Sequence, residues 1–408
     1  MTLGSATPLS DVVSPEALEP ASGGSARLAL GREPDAYVSP GSVQEVVEVL
    51  EWARATSSAV LPVGTGAHVG DRRAERPYVV LSTARMTGIE IYEPADLTLT
   101  AKAGTGLAEL GGMTGEHRQW LPFDPMDAAK RTLGGLAATG VTGPLWAGYG
   151  HVRNHVLGMT VVCGDGRALR LGGRVVKNVA GFDLIKPMVG SRGRLAVITA
   201  VTLRLFPVPT LDRVLVLEAA DLVSLVPTAR AVATAPTLPA SIVLSLSTGA
   251  ASFLVRLHGA DETVDADQRM LEAHAGVSFA AKEGTEAEAL LAATRDAGAD
   301  AEVLLYASTL PSQLGALLDS IQGALRGVDC VVVADVAEGC ARVAFSGAGY
   351  SDAVLEMCAG VEALGGTVAV HRCPIDASPA ALSTPLSPDA HEIGEGVKRI
   401  FDPSGVLL

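Results

Sequence analysis

The stretch from Gly172 to Pro209, GGRVVKNVAGFDLIKPMVGSRGRLAVITAVTLRLFPVP, decides the fold of this chain. Within it, VITAVTLRLF (197–206) alternates apolar and polar residues and predicts a half-buried strand. The glycines before that strand, including the turn GSRG (190–193), permit positive φ angles and a close backbone approach to a bulky group. A large planar cofactor beside the strand is one interpretation. A glycine turn in ordinary β-structure is the other.

The composition is that of a globular protein. The chain has 408 residues, enough for two domains, and its apolar and charged fractions are 48% and 19%. A net charge of −14 argues against a broad nucleic-acid-binding surface. The cysteines are widely spaced and form no CxxC pair, so we expect no zinc or iron–sulfur site held by this chain alone. They are Cys163, Cys330, Cys340, Cys358 and Cys373.

Targeting signals are absent from the pattern. The N-terminus lacks a basic segment followed by an apolar one, so no secretory signal is expected. No run of about 18 uncharged apolar residues predicts a membrane span. We therefore expect a cytoplasmic protein, associated with a membrane only through partners.

The chain divides into four segments. Residues 1–26, rich in Ser, Ala, Gly, Pro and Glu, predict a flexible arm. Residues 27–209 carry short strands separated by glycine loops and a few helices, which predicts an α+β domain. Residues 210–370 alternate apolar strands with Ala-, Glu- and Leu-rich helices and predict a separate α/β domain. Residues 371–408 include a closing helix.

A glycine loop follows the apolar strand AVLPV (59–63). The loop is GTGAHVG, from Gly64 to Gly70, and successive N–H groups of such a loop can point at an anion. A dinucleotide-binding Rossmann loop needs a helix to begin at that point, whereas DRR (71–73) and Pro77 follow here. A Rossmann site is therefore excluded, and an anion-cradling loop and a simple turn both remain.

A second block, TLGGLAATG from Thr132 to Gly140, combines paired glycines with small residues. Such a surface accommodates a flat ring or a phosphate, and the hydroxyls of Thr132 and Thr139 can hydrogen-bond to either. Close packing of a helix on a strand explains the same glycines. Further along, Arg153 can pair with a phosphate or carboxylate, or lie exposed in its loop.

Polar residues also interrupt the apolar pattern of the opening stretch. Lys177, Asn178 and Asp183 lie among apolar neighbours. Buried polar groups are normally hydrogen-bonded, so we expect these to satisfy backbone groups or each other. A structural role explains them at least as well as catalysis.

Three glycine-containing blocks, in their order and spacing, resemble the flavin domain of the vanillyl-alcohol-oxidase-like (PCMH-type) flavoproteins. They are the loop Gly64–Gly70, the block Thr132–Gly140 and the opening stretch Gly172–Pro209. Within that family, the pattern is similar to the E subunits of bacterial glycolate oxidases. KNVAGFDL (177–184) and GSRGRLAVIT (190–199) carry the likeness most strongly. It covers about residues 35–209 and returns in GGTVAVHRCP (365–374) and VKRIFDPSGVLL (397–408).

The resemblance implies a PCMH-type fold with FAD held between two α+β subdomains, followed by a cap domain over residues 210–370. His68 is then either a covalent flavin attachment point or a solvent-facing loop residue. Arg194 and Ala196 stand where the family has a small polar residue and a glycine, so we expect them to affect flavin seating. The implied cofactor-binding residues are Gly64, Thr65, Gly66, Ala67, His68, Thr132, Leu133, Gly134, Gly135, Thr139, Gly140, Val197 and Ile198.

The resemblance also implies a function. Such a subunit would act with a D-type flavin subunit and an iron–sulfur subunit to oxidise glycolate or D-lactate to the 2-oxo acid. The His-x-Gly-Asp-Gly-Asn motif of related hydroxy-acid dehydrogenases is not found, and His371 and Arg372 offer a base and a cation at a comparable position. A structural salt bridge is the alternative role for Arg372. A non-catalytic flavin-binding or scaffold subunit, or a stand-alone FAD-dependent hydroxy-acid or sugar dehydrogenase, are the alternative functions.

Overall fold

The structure is a computed structural model that describes residues 7–19, 30, 32–66, 73–173, 182–247, 249–347, 349–374 and 383–408. These residues form three sheets of four, five and eight strands and one two-stranded pair. No helix in these ranges is long and apolar enough to cross a bilayer.

The first sheet has the strand order β1-β2-β4-β3 and packs against helix α1. Ser42 caps the helix by accepting a hydrogen bond from the Glu45 N–H, and Ser57 ends it in the left-handed conformation. The fully buried positions recur at the i, i+3, i+4, i+7 spacing of an amphipathic helix. They are Val46, Val49, Leu50 and Ala53. The elements are β1 (Leu18–Glu19), β2 (Ala36–Val38), α1 (Val43–Thr56), β3 (Ala59–Val63) and β4 (Tyr78–Ser82).

The second sheet is antiparallel, in the order β5-β6-β10-β8-β9, and carries the short helices α2 to α5. A separate pair, β7 and β11, lies beside it. The elements are β5 (Ile89–Glu93), β6 (Thr98–Lys102), α2 (Leu107–Gly115), β7 (Gln119–Trp120), α3 (Leu133–Thr139), α4 (Trp146–Tyr149), β8 (Val156–Cys163), β9 (Ala168–Gly172), α5 (Ile185–Met188), β10 (Ala196–Arg204) and β11 (Phe206–Pro207).

Strand β10 corrects one sequence prediction. Its alternating pattern predicted a half-buried strand, but every residue except Arg204 is buried. The strand is central in its sheet and both of its faces are covered, because Ile198 packs into the core of the second sheet and Val197 into the core of the first. The hydroxyls that suggested a polar face are satisfied internally, as when Thr199 donates to the Thr160 carbonyl.

The third sheet is antiparallel, with the order β15-β12-β14-β13-β17-β18-β16-β19, and it spans residues 211–372. Helices α6, α7, α9 and α10 pack on one face, and α8 packs on part of the other. The elements are β12 (Leu211–Ala219), α6 (Val226–Thr234), β13 (Ser241–Ser247), β14 (Ala250–Gly259), α7 (Asp261–Ala275), β15 (Ala280–Glu283), α8 (Gly284–Asp296), β16 (Val303–Ser308), α9 (Leu314–Ala324), β17 (Cys330–Asp335), β18 (Cys340–Phe345), α10 (Tyr350–Ala363) and β19 (Thr367–Arg372).

The N-terminal segment differs from its predicted flexible arm over residues 7–19. Leu9, Val13 and Ala17 are buried in the core of the first sheet, and Leu18 pairs with Val38. The Ser- and Pro-rich composition concealed these three apolar anchors, whose burial offsets the cost of ordering the segment.

The C-terminal segment returns to the first sheet. Helix α11 (Pro388–Phe401) is followed by Asp402, whose side chain is fully buried. The Asp402 carboxylate accepts hydrogen bonds from the N–H groups of Val406 and Leu407 and from Lys398 Nζ. Leu407 in turn bridges to Val60 of β3 in parallel register. One buried carboxylate therefore fixes the end of the chain against β3.

The Asp402→Ala variant should lose about 3 kcal/mol of unfolding free energy, because it leaves the partly buried Lys398 cation without its carboxylate partner and two backbone N–H groups without their acceptor. Urea unfolding measures the loss. Glu392→Ala, at an exposed position of the same helix α11, should change stability by less than about 0.5 kcal/mol. Equal effects of the two substitutions would contradict this role of Asp402.

Candidate functional site

Helix α3 is held against β6 by a close backbone contact. The Gly134 N–H donates to the Ala103 carbonyl at 2.7 Å, and the Leu133 N–H donates to the Thr105 carbonyl at 2.9 Å. A Cβ atom on Gly134 would lie 2.6 Å from the Ala103 Cβ, so only glycine permits this approach. Thr132 caps the helix by accepting from the Gly135 N–H at 3.1 Å.

The opposite end of α3 binds the turn at residues 190–193. The Gly190 N–H donates to the Ala137 carbonyl at 3.0 Å, and the Arg192 N–H donates to the Ala138 carbonyl at 2.7 Å. Arg192 adopts a positive φ of 54° in this turn. The two contacts fix the backbone of the turn at residues 190–193, including Arg192, against the C-terminal end of helix α3.

A cleft lies between α3, the end of β3 and this turn. It consists of two adjoining hollows of about 60 and 40 Å³, whose shared lining includes Gly64, Gly135, Ala138 and Arg192. A Cβ on Gly64 would lie 2.4 Å from Thr132 Oγ1, so the glycine allows the loop after β3 to approach α3. We call this space the glycine cleft. Its other lining residues are Pro62, Val63, Thr65, Gly66, Thr83, Arg131, Thr132, Gly134, Thr139, Gly193, Ala196, Val197 and Ile198.

A larger cavity of about 270 Å³ adjoins the cleft at the C-terminal end of α3, where Thr139 lines the cleft and Gly140 lines the cavity. One wall is the third sheet. Strand alternation places Ala334 and Val343 in the helix-covered core, and therefore turns Asp335 and Arg342 toward the cavity. The opposite wall comes from residues 124–151, and we call this space the acidic cavity. Its charged lining residues are Asp124, Arg295, Asp335, Glu338 and Arg342.

Comparison with known proteins identifies the segment that forms one side of the glycine cleft. Residues 34–172 match the family described as "FAD binding domain". This segment is an FAD-binding domain. It contains the loop after β3 and all of α3, so the two predicted glycine blocks belong to one FAD-binding unit.

Relatives match over part of their length. Glycolate oxidase subunit GlcE of Escherichia coli (strain K12) is 42% identical over 30% of this chain and 35% of its own. D-lactate dehydrogenase of Archaeoglobus fulgidus is 36% identical over 42% of this chain and 38% of its own. Glycolate oxidase subunit GlcD of Bacillus subtilis (strain 168) is 27% identical over 59% and 55%. The matches with the GlcE and D-lactate dehydrogenase relatives thus span little more than a third of their length.

Solved structures show the fold. A p-cresol methylhydroxylase crystal structure with bound substrate superimposes with a TM-score of 0.73, covering 97% of this chain and 93% of that one at 16% identity. An alkyldihydroxyacetonephosphate synthase structure gives a TM-score of 0.71 over 92% and 77%, also at 16% identity. The expected α+β, PCMH-type fold is confirmed.

The structure brings most of the predicted FAD-binding residues to one place. Leu133 is fully buried in the core of the second sheet, and Gly140 lines the acidic cavity and not the cleft. Ala67 and His68 lie outside the described residues. The predicted residues that line the glycine cleft are Gly64, Thr65, Gly66, Thr132, Gly134, Gly135, Thr139, Val197 and Ile198.

Two arginines of the cleft were missed in the sequence. Arg131 is only 4% exposed; its Nε donates to the Met126 carbonyl, and its Nη2 has no hydrogen-bond partner. Burial lowers the pKa of Arg131, so a nearby anion would stabilise its charge. Arg192 lines both hollows. Guanidinium groups bind phosphate oxygens well, so this pair fits the diphosphate of FAD. The sequence offered no distinct signal for either residue, because Arg131 follows Lys130 just outside the Thr132–Gly140 block and Arg192 is a single charge in a glycine turn.

His371 and Arg372 hold structural contacts. Arg192 Nη2 donates to His371 Nε2 at 2.8 Å, which requires that nitrogen to be unprotonated. Burial, then the charges of Arg192 and Arg131, lower the pKa of His371 to about 3. Arg372 Nη1 donates to the Ala299 and Ala301 carbonyls at 2.6 and 2.8 Å. Arg372 thus binds backbone oxygens where we expected a carboxylate or a salt bridge.

The remaining polar candidates also have defined positions. Arg153 is exposed, and Asp183 accepts from the Ile185 N–H at 3.2 Å and pairs with Lys186. Lys177 and Asn178 lie outside the described residues. Arg194, expected to affect flavin seating, points its side chain to solvent and lines neither hollow, whereas the buried Ala196 lines one of them.

Arg192→Gln should weaken FAD binding about tenfold or more, because it removes one charge-assisted contact to the diphosphate. Fluorescence titration of FAD into apoprotein measures the dissociation constant. Arg194→Gln is the matched control two residues away and should bind FAD like the wild type, and Arg192→Lys should recover part of the affinity. Equal FAD affinities for Arg192→Gln and Arg194→Gln would contradict the assignment.

His371 should make stability depend on pH. Above its ordinary pKa of 6.5 the ring is neutral in both the folded and the unfolded chain; between 6.5 and about 3 only the unfolded chain takes up the proton. Stability should therefore fall as the pH falls, by at most about 1.4 kcal/mol per pH unit more than in His371→Gln. Urea unfolding at pH 7, 6 and 5 measures both slopes. Parallel slopes would show that His371 is not held neutral.

Proposed function

We propose that this chain is the FAD-binding subunit of a glycolate-oxidase-type complex, which oxidises glycolate or D-lactate to the 2-oxo acid. The observation that carries the proposal is the glycine cleft, lined on one side by the matched FAD-binding segment with its buried Arg131 and on the other by the turn that carries Arg192. The oxidoreductase class is supported by the relatives, which are named as glycolate oxidase subunits and D-lactate dehydrogenases.

The proposal assigns roles to residues of this chain. Arg131 and Arg192 hold the diphosphate, while Gly64 and Gly134 allow the backbone to come close to it. Bound FAD would supply the hydride acceptor for the α-carbon of a hydroxy acid. His371 orients Arg192 from strand β19, so the third sheet contributes to the cofactor site. Since His371 Nε2 already accepts from Arg192, His371 is a positioning residue in this geometry and does not serve as the base.

Partners complete the proposed complex. Two of the relatives are named as subunits, which supports a heteromeric assembly. We propose a D-type flavin subunit and an iron–sulfur subunit as the partners, in the cytoplasm, with hydroxy-acid oxidation completed only in their presence.

The acidic cavity favours a second candidate, a flavin-binding subunit that does not itself turn over a hydroxy acid. Asp124, Asp335 and Glu338 line the cavity, and burial raises the pKa of each aspartate to about 7. A hydroxy-acid anion would meet these carboxylates there. In that case, the hydroxy acid is bound and oxidised in the partner.

Purification of the chain alone and with its partners separates the candidates. We expect a yellow protein with about one FAD per chain that stays oxidised under anaerobic glycolate or D-lactate, and is reduced once the partner subunits are added. The absorbance near 450 nm reports both states.

Three other outcomes have distinct meanings. Reduction by glycolate without partners supports a stand-alone dehydrogenase. A yellow protein that stays oxidised in an otherwise active complex supports the non-catalytic flavin-binding subunit. A colourless protein that fails to take up added FAD would contradict the proposal.

A further inference from the structure

Asp335 lines the acidic cavity and carries one buried carboxylate oxygen without a hydrogen-bond donor. It ends β17, is 7% exposed, and its Oδ1 accepts from the N–H groups of Ala337 and Glu338, both at 3.0 Å. Its Oδ2 has no hydrogen-bond partner. The Oδ1 contacts account for the turn that follows β17, but they leave Oδ2 without a donor. A buried acceptor without a donor costs free energy, so a ligand that donates to it gains that contribution.

The positive charges of the cavity are already bound by protein acceptors. Arg342 donates through Nη1 to the Arg295 carbonyl at 2.7 Å and through Nη2 to the Thr294 carbonyl at 3.1 Å. Arg295 pairs with the Asp296 carboxylate at 2.5 Å. Both guanidinium groups are therefore held in protein contacts, and neither is positioned to bind a ligand carboxylate through two parallel hydrogen bonds.

The negative charges of the cavity are less compensated. Asp124 Oδ1 accepts from the Leu145 N–H at 3.2 Å, and Glu338 lies 3.9 Å from His151 Nε2. Asp335 has backbone donors only. Among the described residues, no three His, Cys, Asp or Glu side chains are grouped to hold a metal ion, so a cation site of that kind does not explain the carboxylates. Arg342 donates to neutral carbonyl oxygens and keeps its charge, but the three carboxylates outnumber it once the aspartates are ionised, so an anion should bind more weakly than a neutral or cationic hydrogen-bond donor.

We propose that the acidic cavity binds a small hydroxyl compound without negative charge, with Asp335 accepting a hydrogen bond from its hydroxyl group. Trp146 and Tyr306 supply apolar wall for the carbon skeleton, as aromatic side chains do in small-molecule sites. This inference requires no turnover by the chain. It relies on the proposed function only in that the cavity adjoins the glycine cleft, where FAD is proposed to bind. A 2-hydroxy acid anion is then bound elsewhere in the proposed complex.

A charge series of two-carbon ligands tests the proposal on the protein as purified. Ethylene glycol, ethanolamine and glycolate are similar in size and are neutral, cationic and anionic at pH 8, where both aspartates with pKa values near 7 are ionised. Ligand-observed NMR titration measures the dissociation constants. We expect glycolate to bind at least about tenfold more weakly than the other two. Equal or tighter binding of glycolate to the wild type would overturn the proposal.

Variants test which carboxylates cause the weaker binding of glycolate. Asp335→Asn keeps the Oδ1 acceptor for the turn but removes the charge, so the ratio of glycolate to ethylene glycol dissociation constants should fall about tenfold. Asp124→Asn should lower the same ratio. Asp319→Asn, an exposed aspartate on α9 that does not line the cavity, should leave it unchanged. An unchanged ratio in Asp335→Asn, with wild-type circular dichroism, would also overturn the proposal.

The FAD content of the same samples separates this inference from the proposed function. A yellow protein without the charge preference contradicts the cavity assignment alone. A colourless protein that still prefers ethylene glycol contradicts the FAD-subunit proposal alone.

Discussion

The glycine cleft depends on one close contact, the packing of Gly134 on Ala103. With 2.7 Å between the Gly134 nitrogen and the Ala103 oxygen, helix α3 lies directly on the end of β6. Thr132 is thereby placed beside Gly64, and the far end of α3 can receive the turn that contains Arg192. A side chain at position 134 would displace the helix and with it both walls of the cleft. A steric constraint at one glycine therefore positions the charged groups proposed to hold FAD.

The third sheet contributes by strand alternation and by one side chain. Alternate residues of β16, β17 and β18 enter the helix-covered core, and their neighbours face the FAD-binding domain. Tyr306 on that face lies against the ring of His371, with 4.5 Å between centroids, and His371 holds Arg192. The glycine cleft and the acidic cavity are thus linked by packed side chains, although they differ in the charge of their lining residues.

The sequence predicted those parts of the site that depend on local backbone requirements. Glycine is needed at position 134 because Ala103 approaches closely there, and at position 64 because the Thr132 side chain does, and such requirements leave a visible glycine pattern. Arg131 and Arg192 were missed because a lone arginine carries no local signal, and only the tertiary fold brings the two to one cleft. Asp124 and Asp335 were missed for the same reason, since they lie far apart in the chain and meet across the cavity. The burial of β10 on both faces was likewise decided by its neighbours in the fold.

The central claim is that the diphosphate of FAD binds in the glycine cleft, and a crystal structure of the full chain with FAD tests it most directly. We predict diphosphate density between the segments Gly64–Gly66 and Thr132–Gly135, with the Arg192 guanidinium in contact with a phosphate oxygen. Well-defined diphosphate density outside this cleft, or a diphosphate that neither arginine approaches, would contradict the account.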